Sequence, residues 1–142
     1  NKQSKKEASV LKNKFKKHYT GFWEFEKYMD PDFCNDTRKD LKLIAFVLYL
    51  LAWGYIHKCA INGDRRIGKS HSVNDLIKYE VGYRPKESNA RFSYSGDLVK
   101  KHSRFIRREI QSKKYLKVFP KVKLRSDIKS VHQWEIDNYI NM

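Results

Sequence analysis

Five basic side chains recur at three- and four-residue spacings in the second half of the chain, so they would lie on one face of a helix. Guanidinium and ammonium groups form charge-assisted hydrogen bonds with phosphate oxygens, and an arginine can also pair with the edge of guanine. The chemistry that such a group suggests is the binding of a polyanion. The five residues are Lys100, Lys101, Arg104, Arg107 and Arg108.

A helix over about 95–113 would bring these cations onto one surface. With about 100° between successive residues, apolar side chains form one stripe of that helix and the basic side chains occupy the opposite arc. Ser95 can cap the helix, because its hydroxyl can accept a hydrogen bond from a free N–H of the first turn, and Asp97 complements the positive end of the helix dipole. We expect the stripe in the core and the cations at the surface. The stripe consists of Val99, Ser103, Ile106 and Ile110.

Two short runs with strand character follow the helix, one over 115–119 and one over 131–136. Both are rich in aromatic and aliphatic residues, and a charged interval separates them, so the pattern predicts an antiparallel hairpin over about 117–134. The hairpin adds a second group of cations close to the first. These cations are Lys121, Lys123, Arg125 and Lys129.

A helix that ends in a short polar turn, followed by Tyr-Leu-Lys-Val and a basic hairpin that closes on Trp-Glu-Ile, resembles the winged helix-turn-helix DNA-binding domain over roughly residues 40–140. The resemblance implies an α+β fold that is mainly α, with a C-terminal β-hairpin wing. In that family the third helix usually enters the major groove, and the wing touches phosphate or the minor groove. Carried over to this chain, Arg104 and Arg108 would read the bases of double-stranded DNA, and the other cations would contact phosphates.

The connection before this recognition helix is longer than the family pattern. A capping-box-like Ser72 and the glycine at 82 delimit a predicted second helix, and residues 82–94 separate it from the third, whereas the turn of a helix-turn-helix usually has three or four residues. The insertion would enlarge the DNA-binding surface. The cations that it would add are Arg84, Lys86 and Arg91.

The net charge of +15 is concentrated in two segments. Residues 1–20 carry +6 and residues 95–129 carry +9, so the rest of the chain sums to zero. A localised excess of this kind is typical of a polyanion-binding protein, and nucleic acid fits it better than an acidic small molecule. An anionic membrane fits less well, because the core needs the apolar side of the basic helix.

We expect two parts in the chain, an N-terminal extension over 1–36 and a winged-helix domain over 37–142. The extension begins with a basic arm and continues with an aromatic helical segment that ends at Asp30. An aromatic stripe is more often core than a stacking platform for bases. We therefore expect this segment to pack on the domain or to form a dimer contact.

The strongly apolar helix over 41–57 is expected to be the first helix of the domain, capped by Asp36 or Thr37. It is apolar around nearly its whole circumference, so the N-terminal segment or a second subunit has to cover it. The sequence thus leaves a homodimer open. A loop over 58–71 follows, which could contain a short strand at 60–61.

The sequence predicts a protein that is not an enzyme. The aspartates between residues 30 and 40 are explained by helix caps and turns, and no nucleophile, base and orienting group stand out together. Cys34 and Cys59 form no CxxC pair and the histidines are dispersed, so we expect no metal, cofactor or small-molecule ligand. The longest apolar run, over 43–53, is too short to span a bilayer, which predicts a cytoplasmic bacterial protein or a nuclear eukaryotic one.

Winged domains of this kind serve replication initiation and transcription regulation, and the Lys/Asn/Ile-rich composition suits a bacterial or mobile-element genome such as a plasmid or phage. We therefore expect sequence-specific binding of double-stranded DNA in one of these two processes. Two alternatives stay open. A protein–protein interaction domain would use the apolar helix over 41–57. An RNA-binding module would stack unpaired bases on Tyr83, Phe92 and Tyr94.

Overall fold

The computed structural model describes residues 21–130 and 133–136, so the predicted basic arm over 1–20 lies outside the described part. Within that part the protein is α+β and mainly helical, with five helices and one two-stranded antiparallel hairpin. The predicted class is confirmed at this level. In chain order the elements are α1 over 21–29, α2 Lys39–Ala52, α3 Lys69–Tyr83, α4 Gly96–Glu109, α5 Lys113–Val118, β1 Leu124–Lys129 and β2 Trp134–Ile136.

The chain divides into two compact units, unit 1 (Asn1–Val73) and unit 2 (Asn74–Met142). The division falls within α3. These units are defined by their compactness alone, so they do not test the domain boundary expected after residue 36. That boundary stays a prediction.

The core of unit 1 contains three of the four aromatic residues of α1 and one side of α2. Phe22, Trp23 and Phe25 are buried, which confirms that the aromatic segment belongs to the core. The apolar helix predicted to reach residue 57 ends earlier, at Ala52, because Gly54 takes a left-handed conformation with φ 73° and so stops the helix. The buried residues of α2 are Leu41, Ile44, Ala45, Leu48 and Tyr49.

The predicted caps of α2 are wrong. Asp36 is engaged with α1, since it accepts hydrogen bonds from the Trp23 indole and from the Lys27 ammonium group, each at 3.1 Å. These two contacts hold the pKa of Asp36 below its usual value. The N-cap of α2 is Arg38, whose side chain makes no cap hydrogen bond, and Thr37 lies before it.

Helix α3 starts three residues earlier than predicted, so Ser72 is an internal helical residue and not a cap. Its N–H donates to the Gly68 carbonyl at 3.0 Å. Gly68 has φ 103°, and a Cβ there would meet the side chains of Phe33 and Leu41, so glycine is needed at this point. The loop that leads to α3 forms no strand at 60–61.

In unit 2, α3 and α5 meet through closely packed aromatic rings. The Tyr79 ring stacks on Tyr83 at 5.5 Å between centroids and meets Phe119 edge-on at 6.0 Å. Gly82 permits this approach, because a Cβ at that position would overlap the Phe119 ring. Burial, with a smaller effect from Tyr83, raises the pKa of Tyr79 to about 12.

The predicted strand over 115–119 is wrong, because residues 113–118 form helix α5. The Ser112 hydroxyl accepts from the Tyr115 N–H at 3.2 Å and starts a new helical turn, and this local cap overrides the strand propensity of the following residues. Strand β1 lies instead in the interval expected to be the hairpin tip. Its partner β2 matches the second predicted strand. Residue 131 of that prediction lies outside the described residues. In the hairpin, Leu124 pairs with Ile136.

Candidate nucleic-acid interface

Helix α4 begins where the sequence predicts. The Ser95 hydroxyl accepts a hydrogen bond from the Leu98 N–H at 3.4 Å. Ile106 and Ile110 are buried, which confirms the C-terminal half of the apolar stripe, and Val99 and Ser103 are half-buried. The helix ends at Glu109, short of the predicted 113, because the cap of α5 interrupts it.

The opposite side of α4 carries the predicted cations. Lys101, Arg104 and Arg108 are exposed and Lys100 is half-buried, so the helix buries one side and presents positive charge on the other, as predicted. A shallow depression of about 420 Å³ lies on the cationic side. It is lined by Arg104, Arg107, Arg108 and Gln111.

Two of these arginines make contacts within unit 2 that orient them. The Arg108 guanidinium lies over the ring of Phe105, with Cζ 5.7 Å from the ring centroid. The Arg107 carbonyl accepts from Gln111 Nε2 at 2.7 Å, and Arg107 Nη1 donates to the Ser130 carbonyl at 3.4 Å. Side chains held in this way lose less conformational entropy when a ligand binds them.

The hairpin is fixed to α4 on its inner side. The indole Nε1 of Trp134 donates to Ser103 Oγ at 3.1 Å, and Ser103 belongs to the stripe that faces the core. A second depression, of about 530 Å³, is lined by both Lys123 and Arg107. The structure therefore brings the predicted basic helix and part of the predicted basic wing together. The remaining residues that line the second depression are Ile110, Gln111, Leu116, Val122, Leu124 and Ser126.

The four predicted wing cations have different surroundings. Lys121 and Lys123 are exposed on the segment that precedes β1. Arg125 forms an ion pair with Glu135 across the hairpin, with 2.8 Å between Nη1 and Oε2. Lys129 ends β1, and its side chain lies outside the described part of the structure. Among the wing cations whose side chains are described, Lys121 and Lys123 are the exposed ones.

Contacts inside unit 2 hold the two arginines predicted from the insertion. Arg84 forms an ion pair with Glu80, one turn earlier in α3. Arg91 is half-buried and donates to the Asn74 side-chain oxygen, and desolvation lowers its pKa. Lys86 is exposed. Arg84 and Arg91 thus have structural partners within unit 2.

A polar network behind α4 was not predicted. Asn74 accepts from Arg91 through Oδ1, and its Nδ2 lies 3.1 Å from Nδ1 of His102. Burial lowers the pKa of His102, and the charges of Arg91 and Lys101 lower it further. The network ties α3, α4 and their connection together. Its members are far apart in the sequence at irregular spacings, so no pattern could have revealed it.

A buried ion pair also supports α4 from behind. Lys78 Nζ lies 2.5 Å from Asp75 Oδ1, and both side chains are almost completely buried. The ammonium group is also 5.3 Å from the ring centroid of Phe105, and the Lys78 carbonyl accepts from the Tyr115 hydroxyl at 2.8 Å. The three-residue spacing of the pair is visible in the sequence, but its burial is not.

Comparison with family models, with curated proteins and with solved structures gives no match for this chain. Among the described helices, none is both long and apolar enough to cross a membrane. Function therefore has to be inferred from the residues themselves.

Proposed function

We propose that this chain binds double-stranded DNA through a winged helix-turn-helix in which α4 is the recognition helix and the β1–β2 hairpin is the wing. The observation that carries this proposal is that Arg104, Arg107 and Arg108 line one depression on α4, and that Arg107 lines a second depression together with Lys123. Cations that line a shared surface favour a polyanionic ligand that neutralises them, and the counterions released from DNA gain entropy.

The side chains divide into two roles. Arg104 and Arg108 are exposed on the helix that would enter the major groove, and their guanidinium groups can donate two hydrogen bonds to O6 and N7 of guanine. Lys101, Lys121 and Lys123 are point charges suited to phosphate oxygens, so they set affinity and salt dependence. Sequence preference would then come from the arginines.

The order of helix α3, helix α4 and hairpin supports the winged arrangement. Two features depart from the family pattern, the long connection before α4 and the short helix α5 before β1. Both lie in unit 2, and neither covers the residues of the cationic depression. We propose replication initiation or transcription regulation of a bacterial or mobile-element genome as the process served, following the same resemblance.

The proposal is tested by fluorescence anisotropy with labelled duplex DNA, single-stranded RNA and heparin across a salt series. We expect duplex DNA to bind most tightly, with log K falling linearly with log salt by about 0.9 per phosphate contact. Selection from a random duplex pool should return one recurring sequence. Equal affinity for all three polyanions, or no binding of duplex DNA, would reject the proposal.

A further inference from the structure

Two aromatic side chains of the connection between α3 and α4 stand almost entirely in solvent. Phe92 is 91% exposed and Tyr94 is 97% exposed, the largest values among the exposed large hydrophobic residues in the described part of the chain. Rings of this size normally contribute to a core or an interface, and here they add very little to the packing of the described part of unit 2. Their position is better explained by a ligand than by the fold.

The chain on both sides of these rings is anchored. Arg91 precedes Phe92 and is bound to Asn74, which in turn contacts His102 in α4. Ser95 follows Tyr94 and is the N-cap of α4. The Cα atoms of residues 92 and 94 are at most about 7 Å apart, so both rings are presented together at the N-terminal end of the basic helix.

We infer that Phe92 and Tyr94 bind unpaired bases next to the duplex held by α4, so that the preferred ligand is DNA with a locally unpaired region. This inference rests on the proposed function and names its substrate more closely. Aromatic rings stack on bases of any sequence, and such stacking is open to a base only where the duplex is unpaired or unstacked.

The surroundings of the rings favour a nucleic acid over an apolar protein surface. Most neighbouring residues of the connection are polar or charged. Arg84 and Arg91 have partners inside unit 2, so the positive charge near the rings in the sequence comes from the exposed Lys86 and from Lys100 and Lys101 of α4. A protein partner would need a continuous apolar patch, whereas single-stranded DNA needs separate rings beside positive charge. The connection offers the arrangement that single-stranded DNA needs.

The test compares three DNA ligands of one sequence, namely a perfect duplex, a duplex with a central mismatched bubble and a fork. The single-stranded RNA of that sequence is a fourth arm. Anisotropy is measured for the full chain and for the double variant Phe92→Ala/Tyr94→Ala. We expect the full chain to prefer the bubble and the fork over the duplex by about tenfold for each stacked ring. The double variant should lose this preference and keep its duplex affinity.

Two controls separate ring stacking from general effects. Phe92→Tyr/Tyr94→Phe keeps both rings and should keep the preference. Leu43→Ala removes an exposed apolar side chain of unit 1, which is 63% exposed, and should change nothing. Thermal denaturation of each variant shows whether its fold is intact.

The failure of this inference can be told apart from that of the proposed function. Duplex binding with equal affinity for the bubble overturns the inference and leaves the proposed function standing. A bubble preference that survives in the double variant also overturns the inference, because other residues would then bind the unpaired bases. Absence of duplex binding, or tighter binding of the RNA than of every DNA ligand, overturns both.

Discussion

The indole N–H of Trp134 donates to the hydroxyl of Ser103 across 3.1 Å, and this bond joins β2 to the inner side of α4. The proposed wing is therefore held to the proposed recognition helix from the core side. Arg107 of α4 and Lys123, which directly precedes β1, line one depression. The relative position of helix and wing is thus fixed by a contact that no DNA ligand has to disturb.

Ser103→Ala removes the hydroxyl that accepts this hydrogen bond, so the Trp134 N–H loses that acceptor. We expect the free energy of unfolding to fall by about 1 kcal/mol, the usual effect of losing one partly buried hydrogen bond. Urea denaturation followed by tryptophan fluorescence measures the loss. Ser126→Ala, at an exposed position of β1, is the matched control and should have no effect. Equal stability of the two variants would show that the bond does not hold the wing.

Gly82→Ala should destabilise unit 2, because the added Cβ would overlap the ring of Phe119. We expect overpacking to lower the free energy of unfolding by about 1 to 3 kcal/mol. The better helix propensity of alanine offsets about 1 kcal/mol of this loss. Gly96→Ala is the control, since the space around that residue, the first of α4, is open. Thermal denaturation by circular dichroism compares the two. A stabilised Gly82→Ala variant would contradict the close approach of α3 and α5.

Lys78→Met breaks the buried ion pair with Asp75. The remaining carboxylate would be buried without its partner, so we expect a loss of about 3 to 5 kcal/mol in the free energy of unfolding. The double variant Asp75→Asn/Lys78→Met removes both charges and should recover part of that loss. Denaturant unfolding of the single and double variants measures the coupling. Purely additive losses would show that the two charges do not interact.

His102 should make stability fall on acidification. Its folded-state pKa lies below the ordinary value of 6.5, so the unfolded chain binds the proton more readily. The stability that neutral His102 contributes is therefore present above pH 6.5 and is lost as the pH falls toward the folded-state pKa. Burial is the main cause of the lowered pKa, and the charges of Arg91 and Lys101 add to it. Because Arg91 donates to the Asn74 oxygen, the Asn74 amide group faces Nδ1 of His102 and can donate to that nitrogen only while it is unprotonated.

His102→Gln is expected to flatten the dependence of the free energy of unfolding on pH between about 7 and about 5, where a histidine titrates. The same variant of His57, an exposed residue of unit 1, is the control and should retain the slope. Urea denaturation at several pH values gives both curves. An unchanged slope in His102→Gln would mean that other groups cause the pH dependence.

The sequence predicted the elements whose signals are local and periodic. The Ser95 cap and the stripe through Ile106 and Ile110 predicted the start and the buried side of α4 correctly, and the aromatic spacing in α1 identified core residues. In each case the apolar period of 3.6 residues agrees with the packing that the structure shows. The cationic side of α4 followed from the same period.

The prediction failed where a local cap or a long-range contact decided the structure. Residues 115–118 have strand propensity, yet the Ser112 cap and the burial of Tyr115 make them helical. The Arg91–Asn74–His102 network depends on the fold of the whole unit, so spacing could not reveal it. Arg84 and Arg91 were predicted as surface cations because charge alone does not show which arginine has a partner.

We propose that Arg104 and Arg108 of α4 hold and read duplex DNA. The affinity of Arg104→Ala/Arg108→Ala for a selected duplex, measured by anisotropy across a salt series, tests this role. Lys58→Ala/Arg65→Ala removes the same amount of charge from exposed positions in unit 1 and serves as the control. We expect the α4 variant to bind the duplex at least about tenfold more weakly, with relaxed sequence preference, because each bidentate pair with guanine contributes about 1 to 3 kcal/mol. We expect the control to stay near wild type. Equal affinities for the two variants would contradict the claim and leave the basic side of α4 as a solvated charged surface.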